Sequence, residues 1–242
     1  MQSAKNAIFA TPSIVILGML FICSLITSNI LVLKITHLDL GQFSLFSKWL
    51  PLDIHTSCGI ITFPFTYLIS DILTEVYGFR TSRLIIWGGL LCQLITSSFI
   101  MLSIGMPASP LWDMQEAYEV ILSSSFRIFI ASFTAYFVGE LLNAYIMSKM
   151  KVKTQGRFLW LRSSTSTLVG NILDTAIFFY IAYPMLATLE LWKIIAIELS
   201  LKMLFEFLFL PVVYRVSSYL KKKDQIDVYD TDVKFKLLPQ FN

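Results

Sequence analysis

Six stretches of this 242-residue chain are apolar over about 20 residues or more, the length that a helix needs to cross a bilayer. They lie near residues 12–34, 57–78, 83–105, 120–147, 164–188 and 191–215. Hydrophobic residues make up 56% of the chain and the mean hydropathy is +0.70, far above the values of a soluble domain. We therefore predict an all-α, multi-pass integral membrane protein with six transmembrane helices.

The positive charge between these runs predicts the orientation of the chain. Lysines and arginines are concentrated after the second, fourth and sixth runs, whereas the loop after the third run carries acids and no Lys or Arg. Because basic loops face the cytoplasm, both termini are expected on that side. We predict a single transmembrane transporter domain over residues 1–223, followed by a polar, solvated cytoplasmic tail over 224–242.

Eight charged residues lie at least three residues from the ends of the apolar runs; a charge costs at least about 2.5 kcal/mol at the centre of a lipid-exposed helix. They are Asp71, Glu75, Arg127, Glu140, Asp174, Glu198, Lys202 and Glu206. Such residues must face the protein interior, pair with one another or line a polar path. This pattern is more typical of a transporter than of a membrane anchor.

The fifth run contains the strongest candidate for a binding site. Asn171 and Asp174 lie one helical turn apart, and Phe178 follows one turn later. A carboxylate and an amide suit a planar ligand rich in hydrogen-bond donors, and an aromatic ring can stack on its face. The substrate-binding candidates are Asn171, Asp174, Asp71, Glu140, Tyr136, Phe178, Asn29 and Glu75. The alternative for Asp174, Asp71 and Asn29 is hydrogen bonding or pairing between helices. For Glu75 it is snorkelling or pairing with Arg80 or Arg83.

Two further faces combine charges at helical spacing. Tyr67, Asp71 and Glu75 are separated by steps of four and should point inward together. The sixth run repeats this spacing with Glu198, Lys202 and Glu206, so that Lys202 can pair with either acid. The candidates for ion pairing or coupling are Glu198, Lys202, Arg127 and Glu206. The spacing Asp71-x5-Tyr77 recurs as Asp174-x5-Tyr180, a weak sign of an inverted repeat.

Other classes of function are disfavoured. The histidines His37 and His55 lie with Asp39 and Asp53 in the first outer loop, at no known zinc spacing, and are expected to be solvated. Catalytic signatures such as His-Glu-x-x-His, Gly-x-Ser-x-Gly and the P-loop are absent, so we expect no enzyme, no metal and no cofactor. Because the positive charge is confined to short segments between apolar runs, we expect no nucleic-acid partner.

Several ordered motifs resemble those of the queuosine precursor transporter family, also called the vitamin uptake transporter group. They are Ser28-Asn29, Phe63-Pro64-Phe65 with Asp71, Glu75-Val76-Tyr77-Gly78, Arg127 with Ala131-Ser132-Phe133, Ser166-Thr167-Leu168-Val169-Gly170-Asn171 with Asp174-Thr175, and Glu198 with Lys202. The resemblance follows the chain from the first run to the sixth.

This resemblance implies an importer in the bacterial inner membrane that takes up 7-deazaguanines (queuine, preQ1 or preQ0) for salvage of the tRNA base queuosine. A 7-deazaguanine presents a ring N–H beside an exocyclic amine, two donors that one carboxylate accepts in parallel. The alternative is a substrate-binding subunit of an energy-coupling-factor transporter, which needs ATPase partners. The sequence leaves open the preferred deazaguanine, proton or sodium coupling, and a homodimer.

Overall fold

The computed structural model describes residues 11–32, 34–39, 53–123, 125–182 and 188–231, and these residues form a helical bundle with one short hairpin. Helix α1 spans Pro12–Leu31, and the hairpin pairs strands β1 (Ile35–Asp39) and β2 (Asp53–Ser57). The remaining helices are α2 (Phe63–Tyr77), which follows a 3-10 turn at Cys58–Ile61, α3 (Phe79–Ile104), α4 (Gln115–Ser123), α5 (Ser125–Lys153), α6 (Leu159–Ala182) and α7 (Thr188–Asp224).

Five segments are long and apolar enough to cross a membrane, which confirms a multi-pass helical membrane protein. They are Pro12–Leu31, Cys58–Tyr77, Phe79–Ile104, Ile130–Lys153 and Leu159–Ala182. The sixth predicted run lies within the 37-residue helix α7. The count of six spans and the orientation of the termini remain predictions.

The predicted fourth run, 120–147, has the wrong boundaries. Its first residues belong to the separate short helix α4, and α5 continues to Lys153. Helix α6 likewise begins at Leu159, before the predicted start of the fifth run. Hydropathy ends a run at the first charges, but the helix continues where those charges find partners inside the protein.

Helix α2 lies at the centre of the bundle, because every residue from Thr66 to Tyr77 is buried. Around it, α5 and α6 approach closely at two glycines. A Cβ on Gly139 would lie 2.8 Å from the carbonyl oxygen of Gly170, and a Cβ on Gly170 would lie 2.8 Å from that of Gly139. This contact places Asp174 and Asn143, next to these glycines, deep in the bundle.

The hairpin marks one end of the bundle, between α1 and α2. Its strands are antiparallel, with His37 opposite His55 and Asp39 opposite Asp53. The other end holds Lys151, Arg162 and Lys221, and we call it the basic end. Ser13, at the start of α1, donates a hydrogen bond to Asp224 at the end of α7, so both helix ends meet there.

The segment after α7 is not the solvated, flexible tail that the sequence predicts, at least as far as Thr231. Asp230 is buried and accepts hydrogen bonds from the backbone N–H of Phe79 and from Ser148, each at 2.7 Å. Val228 donates from its backbone N–H to the carbonyl of Val76. A side chain at Gly78, whose φ is +84°, would collide with Val228, so this glycine permits the docking. Residues 232–242 lie outside the described part.

Candidate functional site

The buried charges and polar groups form a column along the bundle axis. Tyr67, Asp71 and Glu75 of α2 are 3%, 0% and 2% exposed, so the predicted inward face is buried. Because they follow one another at steps of four, they place successive polar layers from the hairpin end toward the basic end. Residues of α5, α6 and α7 complete each layer.

The layer nearest the hairpin end is the Lys202 layer, formed by Phe63, Asp174, Thr175 and Lys202. The Lys202 ammonium lies 2.9 Å from Asp174 Oδ2 and 3.2 Å from Thr175 Oγ1. It also lies 4.7 Å from the centre of the Phe63 ring, at cation–π distance. Lys202 is therefore paired with an acid on another helix, whereas the spacing within α7 predicts Glu198 or Glu206.

The next layer contains buried polar groups without hydrogen-bond partners, and we call it the tyrosine layer: Tyr67, Tyr136, Glu140 and Asn171. The two tyrosine rings lie 6.3 Å apart in an edge arrangement. Among the described residues, no group meets the full geometry of a hydrogen bond to Glu140, which is 0% exposed, although Ser70, Asn143 and Tyr136 interact with its carboxyl group. The tyrosine hydroxyls and Asn171 Oδ1 are also unpartnered.

The members of the tyrosine layer come from three helices. Tyr67 of α2 interacts electrostatically with Glu140 and Asp174, and Tyr136 lies one turn before Glu140 on α5. Asn171 follows Gly170, which touches Gly139 beside Glu140. Because buried polar atoms are nearly always hydrogen-bonded, the unpartnered atoms of this layer make it a candidate for binding a polar ligand.

Two carboxylates meet in the third layer, the serine layer, formed by Asp71, Asn143, Ser163 and Glu206. Asn143 donates to Asp71 Oδ1 at 3.1 Å, and Ser163 Oγ is hydrogen-bonded to Asp71 Oδ2. The same Oγ lies 2.5 Å from Glu206 Oε1. One hydroxyl thus bridges an acid of α2 and an acid of α7.

The last layer is the basic-end network, formed by Glu75, Lys151, Arg162, Lys221 and Asp227. Arg162, which is fully buried, binds both oxygens of Glu75, and Lys221 lies 2.6 Å from Glu75 Oε1. Lys151 binds Asp227 at 2.5 Å and the carbonyl of Val228 at 2.8 Å. This network ties α2, α5, α6 and α7 to the segment after α7.

Asp227 lies beyond the helices and is partly exposed. Partial burial acts to raise the pKa of this carboxyl group, but hydrogen bonds and charge from Lys151 and Lys221 outweigh it and lower the pKa. Asp227 is therefore held as a carboxylate in the network.

The other candidates lie away from this column or cannot be placed in it. Asn29 is half-buried and donates to the carbonyl of Leu25 in its own helix. Phe178 is half-buried and packs edge-on against Phe179 at 5.4 Å. Glu198 is also half-buried, and the Arg127 side chain lies outside the described part.

The two tyrosines of the recurring Asp-x5-Tyr spacing do not occupy equivalent positions. Tyr77 is buried and donates to Asp224 at 2.5 Å, whereas Tyr180 is 78% exposed. The repeat suggested by Asp71-x5-Tyr77 and Asp174-x5-Tyr180 therefore finds no support in the surroundings of these tyrosines.

Sequence reasoning missed Ser163 and read Lys151, Arg162 and Lys221 only as topology signals. Nothing distinguishes Ser163 from its serine and threonine neighbours in the sequence. The signal that could have found Arg162 is its position just before the fifth apolar run, within helical reach of a membrane-embedded acid.

A family described as "Putative vitamin uptake transporter" matches residues 57–216 of the chain, a segment that contains most of the polar column. The chain is 30% identical over 191 residues to the "Queuosine precursor transporter" of Escherichia coli, covering 76% of this chain and 84% of that protein. It is 30% identical over 131 residues to the "Probable queuosine precursor transporter" of Haemophilus influenzae, covering 54% and 53% of the two chains.

The third relative is the "Probable queuosine precursor transporter" of Bacillus subtilis, 28% identical over 172 residues, with 69% of this chain and 74% of that protein covered. No solved structure gives a significant match. The family match and these relatives together confirm the resemblance that the motifs indicate. The chain therefore belongs to the vitamin uptake transporter family, the family of the queuosine precursor transporters.

Proposed function

We propose that this protein imports queuosine precursors of the 7-deazaguanine class across a bacterial inner membrane, with both termini in the cytoplasm. The names of its relatives and the tyrosine layer support this function. The observation that carries the proposal is Glu140, a fully buried carboxylate with both oxygens unpartnered among the described residues. It offers two adjacent acceptor oxygens inside the bundle.

The donor edge of a 7-deazaguanine matches this acceptor. Its ring N–H and exocyclic amine point in parallel, so one carboxylate can accept both hydrogen bonds. Glu140 is better suited to this role than Asp174, since Asp174 Oδ2 is already paired with Lys202 at 2.9 Å. Tyr67 and Tyr136 offer aromatic faces for the flat base, and the Asn171 amide oxygen offers a further acceptor.

The basic-end network supports a closed state toward the cytoplasm. It joins the helices below the tyrosine layer by ion pairs, so release on that side requires these pairs to separate. Asp71 and Glu75 lie deeper than the tyrosine layer and are engaged with the serine layer and the basic-end network. We therefore place them on the exit path and not in the base-binding layer.

The test is a thermal-shift titration of the purified protein with queuine, preQ1, preQ0 and guanine. A ligand that binds only the folded state raises its apparent stability by mass action. We expect Glu140→Gln to weaken deazaguanine binding roughly 10- to 150-fold, because losing a charge-assisted acceptor costs about 1.5–3 kcal/mol.

The matched control is Glu116→Gln, which changes an exposed acid of α4 and should leave binding unchanged. Equal affinities of the Glu140 variant and the wild type would contradict the proposed site. Uptake by proteoliposomes that contain only this protein would separate a self-sufficient carrier from the energy-coupling-factor alternative, since the latter needs an ATPase.

A further inference from the structure

The serine layer contains fewer protons in its side chains than its hydrogen bonds require. The Ser163 hydroxyl has one proton and can donate one hydrogen bond, yet its oxygen is within bonding distance of both Asp71 Oδ2 and Glu206 Oε1. If both acids were ionised, they would be acceptors only, and one of the two contacts would bring two oxygen lone pairs together. A proton on one carboxyl group resolves this conflict, because that group then donates to Ser163.

The surrounding charges also favour a proton in this layer. The nearest charged residues along the four helices are Glu75 on α2, Glu140 on α5, Arg162 on α6 and Lys202 on α7. Arg162 is engaged by Glu75 and Lys202 by Asp174, so neither cation bonds to the serine layer. Glu140, which is fully buried, is a further acid that interacts electrostatically with Asp71. Neighbouring carboxylates without a cation do not all ionise.

The distances favour a proton over a metal ion. The separation of Ser163 Oγ and Glu206 Oε1, 2.5 Å, is the length of an O–H···O⁻ hydrogen bond. Oxygen ligands of a hard cation lie at about 2.0–2.6 Å from the ion and, since they repel each other, stand farther apart than this.

We propose that Asp71 and Glu206 hold one proton between them through the Ser163 hydroxyl, and that this proton crosses the membrane together with the substrate. The second half of this proposal rests on the proposed function. The proton reaches the pair from the hairpin side past Glu140, and it leaves toward the basic end when the Glu75–Arg162 pair opens. The serine layer lies between the base-binding layer and the exit, so the same opening releases both.

The proton itself is tested without substrate, by infrared spectroscopy of the purified protein at neutral pH. We expect the wild type to show the C=O stretch of a protonated carboxyl group that Glu206→Gln or Asp71→Asn removes. Ser163→Ala should keep this band but shift its frequency, because it deletes the bridging hydroxyl. The control Glu116→Gln should leave the band unchanged. A spectrum in which neither acid substitution removes any intensity from the carboxyl C=O band would overturn the proposal.

Coupling is tested with wild-type protein in proteoliposomes at zero membrane potential. A proton gradient of one pH unit should drive up to about 10-fold accumulation of the deazaguanine that binds best, if one proton accompanies each molecule. Replacing sodium with choline should change nothing. Accumulation that follows a sodium gradient, or that ignores the pH gradient, would overturn the coupling.

The variant Glu206→Gln separates movement of the substrate across the membrane from its coupling to the proton gradient. We expect it to exchange substrate across the membrane but to lose accumulation driven by the pH gradient. If no deazaguanine binds or moves while the infrared band responds to Glu206→Gln, the proposed function is wrong and the shared proton is supported. If deazaguanine accumulates in both proteins to the same degree, the shared proton has no part in transport.

Discussion

Replacing Arg162 with methionine tests whether the basic-end network holds this end of the bundle together. Arg162 is fully buried and is the bidentate partner of Glu75, which is 2% exposed. Removing one partner of a buried ion pair typically costs 3–5 kcal/mol, because the other charge is left behind. Lys221, 2.6 Å from Glu75, still neutralises part of that charge. We therefore expect a loss near the lower limit, about 3 kcal/mol.

The loss should be visible as a lower midpoint of thermal unfolding in detergent. For a protein of this size, 1 kcal/mol corresponds to about 2–4 °C, so we expect a decrease of roughly 6–12 °C. The fraction of protein that still elutes as a folded species after heating measures it. Arg157→Met is the matched control: Arg157 is exposed, and changes at such surface sites usually stay within about 0.5 kcal/mol.

A double variant tests whether the interaction between Arg162 and Glu75 accounts for this loss of stability. Arg162→Met combined with Glu75→Gln removes both charges, so it should be more stable than Arg162→Met alone. If Arg162→Met unfolds at the same temperature as Arg157→Met, or if the two changes are strictly additive, the network does not stabilise the basic end as described.

Three further predictions concern the tail, the orientation and the helix contact. Because the pKa of Asp227 is lowered in the folded protein, its stabilisation of the tail is present above the ordinary carboxyl pKa and is lost as the pH falls through the lowered value. Proteolysis of residues 225–231 should therefore increase on acidification, and less so in Asp227→Asn. A cysteine at Lys153 should not react with an impermeant reagent in intact cells, and a reaction would invert the topology. Gly139→Ala should lower the folded yield, since its Cβ would lie 2.8 Å from both Gly170 O and Asp174 Cβ, whereas Gly88→Ala has open space and should not.

The apolar runs predict the helices because length and hydropathy are properties of one segment at a time. Their ends are harder to predict where charges continue the helix inside the protein. Lys151 extends α5 because Asp227, 76 residues away in the sequence, neutralises it. The sequence places Asp227 in a polar tail and offers no local reason to bring the two together.

The candidate site is predictable to the level of the helix face. Steps of four place Asp71 and Glu75 on one buried side of α2, as the structure has them. The spacing within α7 identifies Lys202 as a membrane-embedded cation but not its partner, because Asp174 reaches it from α6 across the interface between α6 and α7. Contacts between helices depend on packing, which a single sequence does not specify.

The distribution of charge along the column supports the function proposed for its middle layers. At the hairpin end Asp174 is paired with Lys202, and at the basic end the acids Glu75 and Asp227 are paired with lysines and Arg162. Between these paired layers, Glu140, Asp71 and Glu206 form no ion pair among the described residues.

Buried acids without cations cost several kcal/mol each, and apolar residues in their place would be at least as stable. Their presence is therefore best explained by partners that bind and dissociate during transport. These are the donor edge of a base at Glu140 and a proton shared by Asp71 and Glu206.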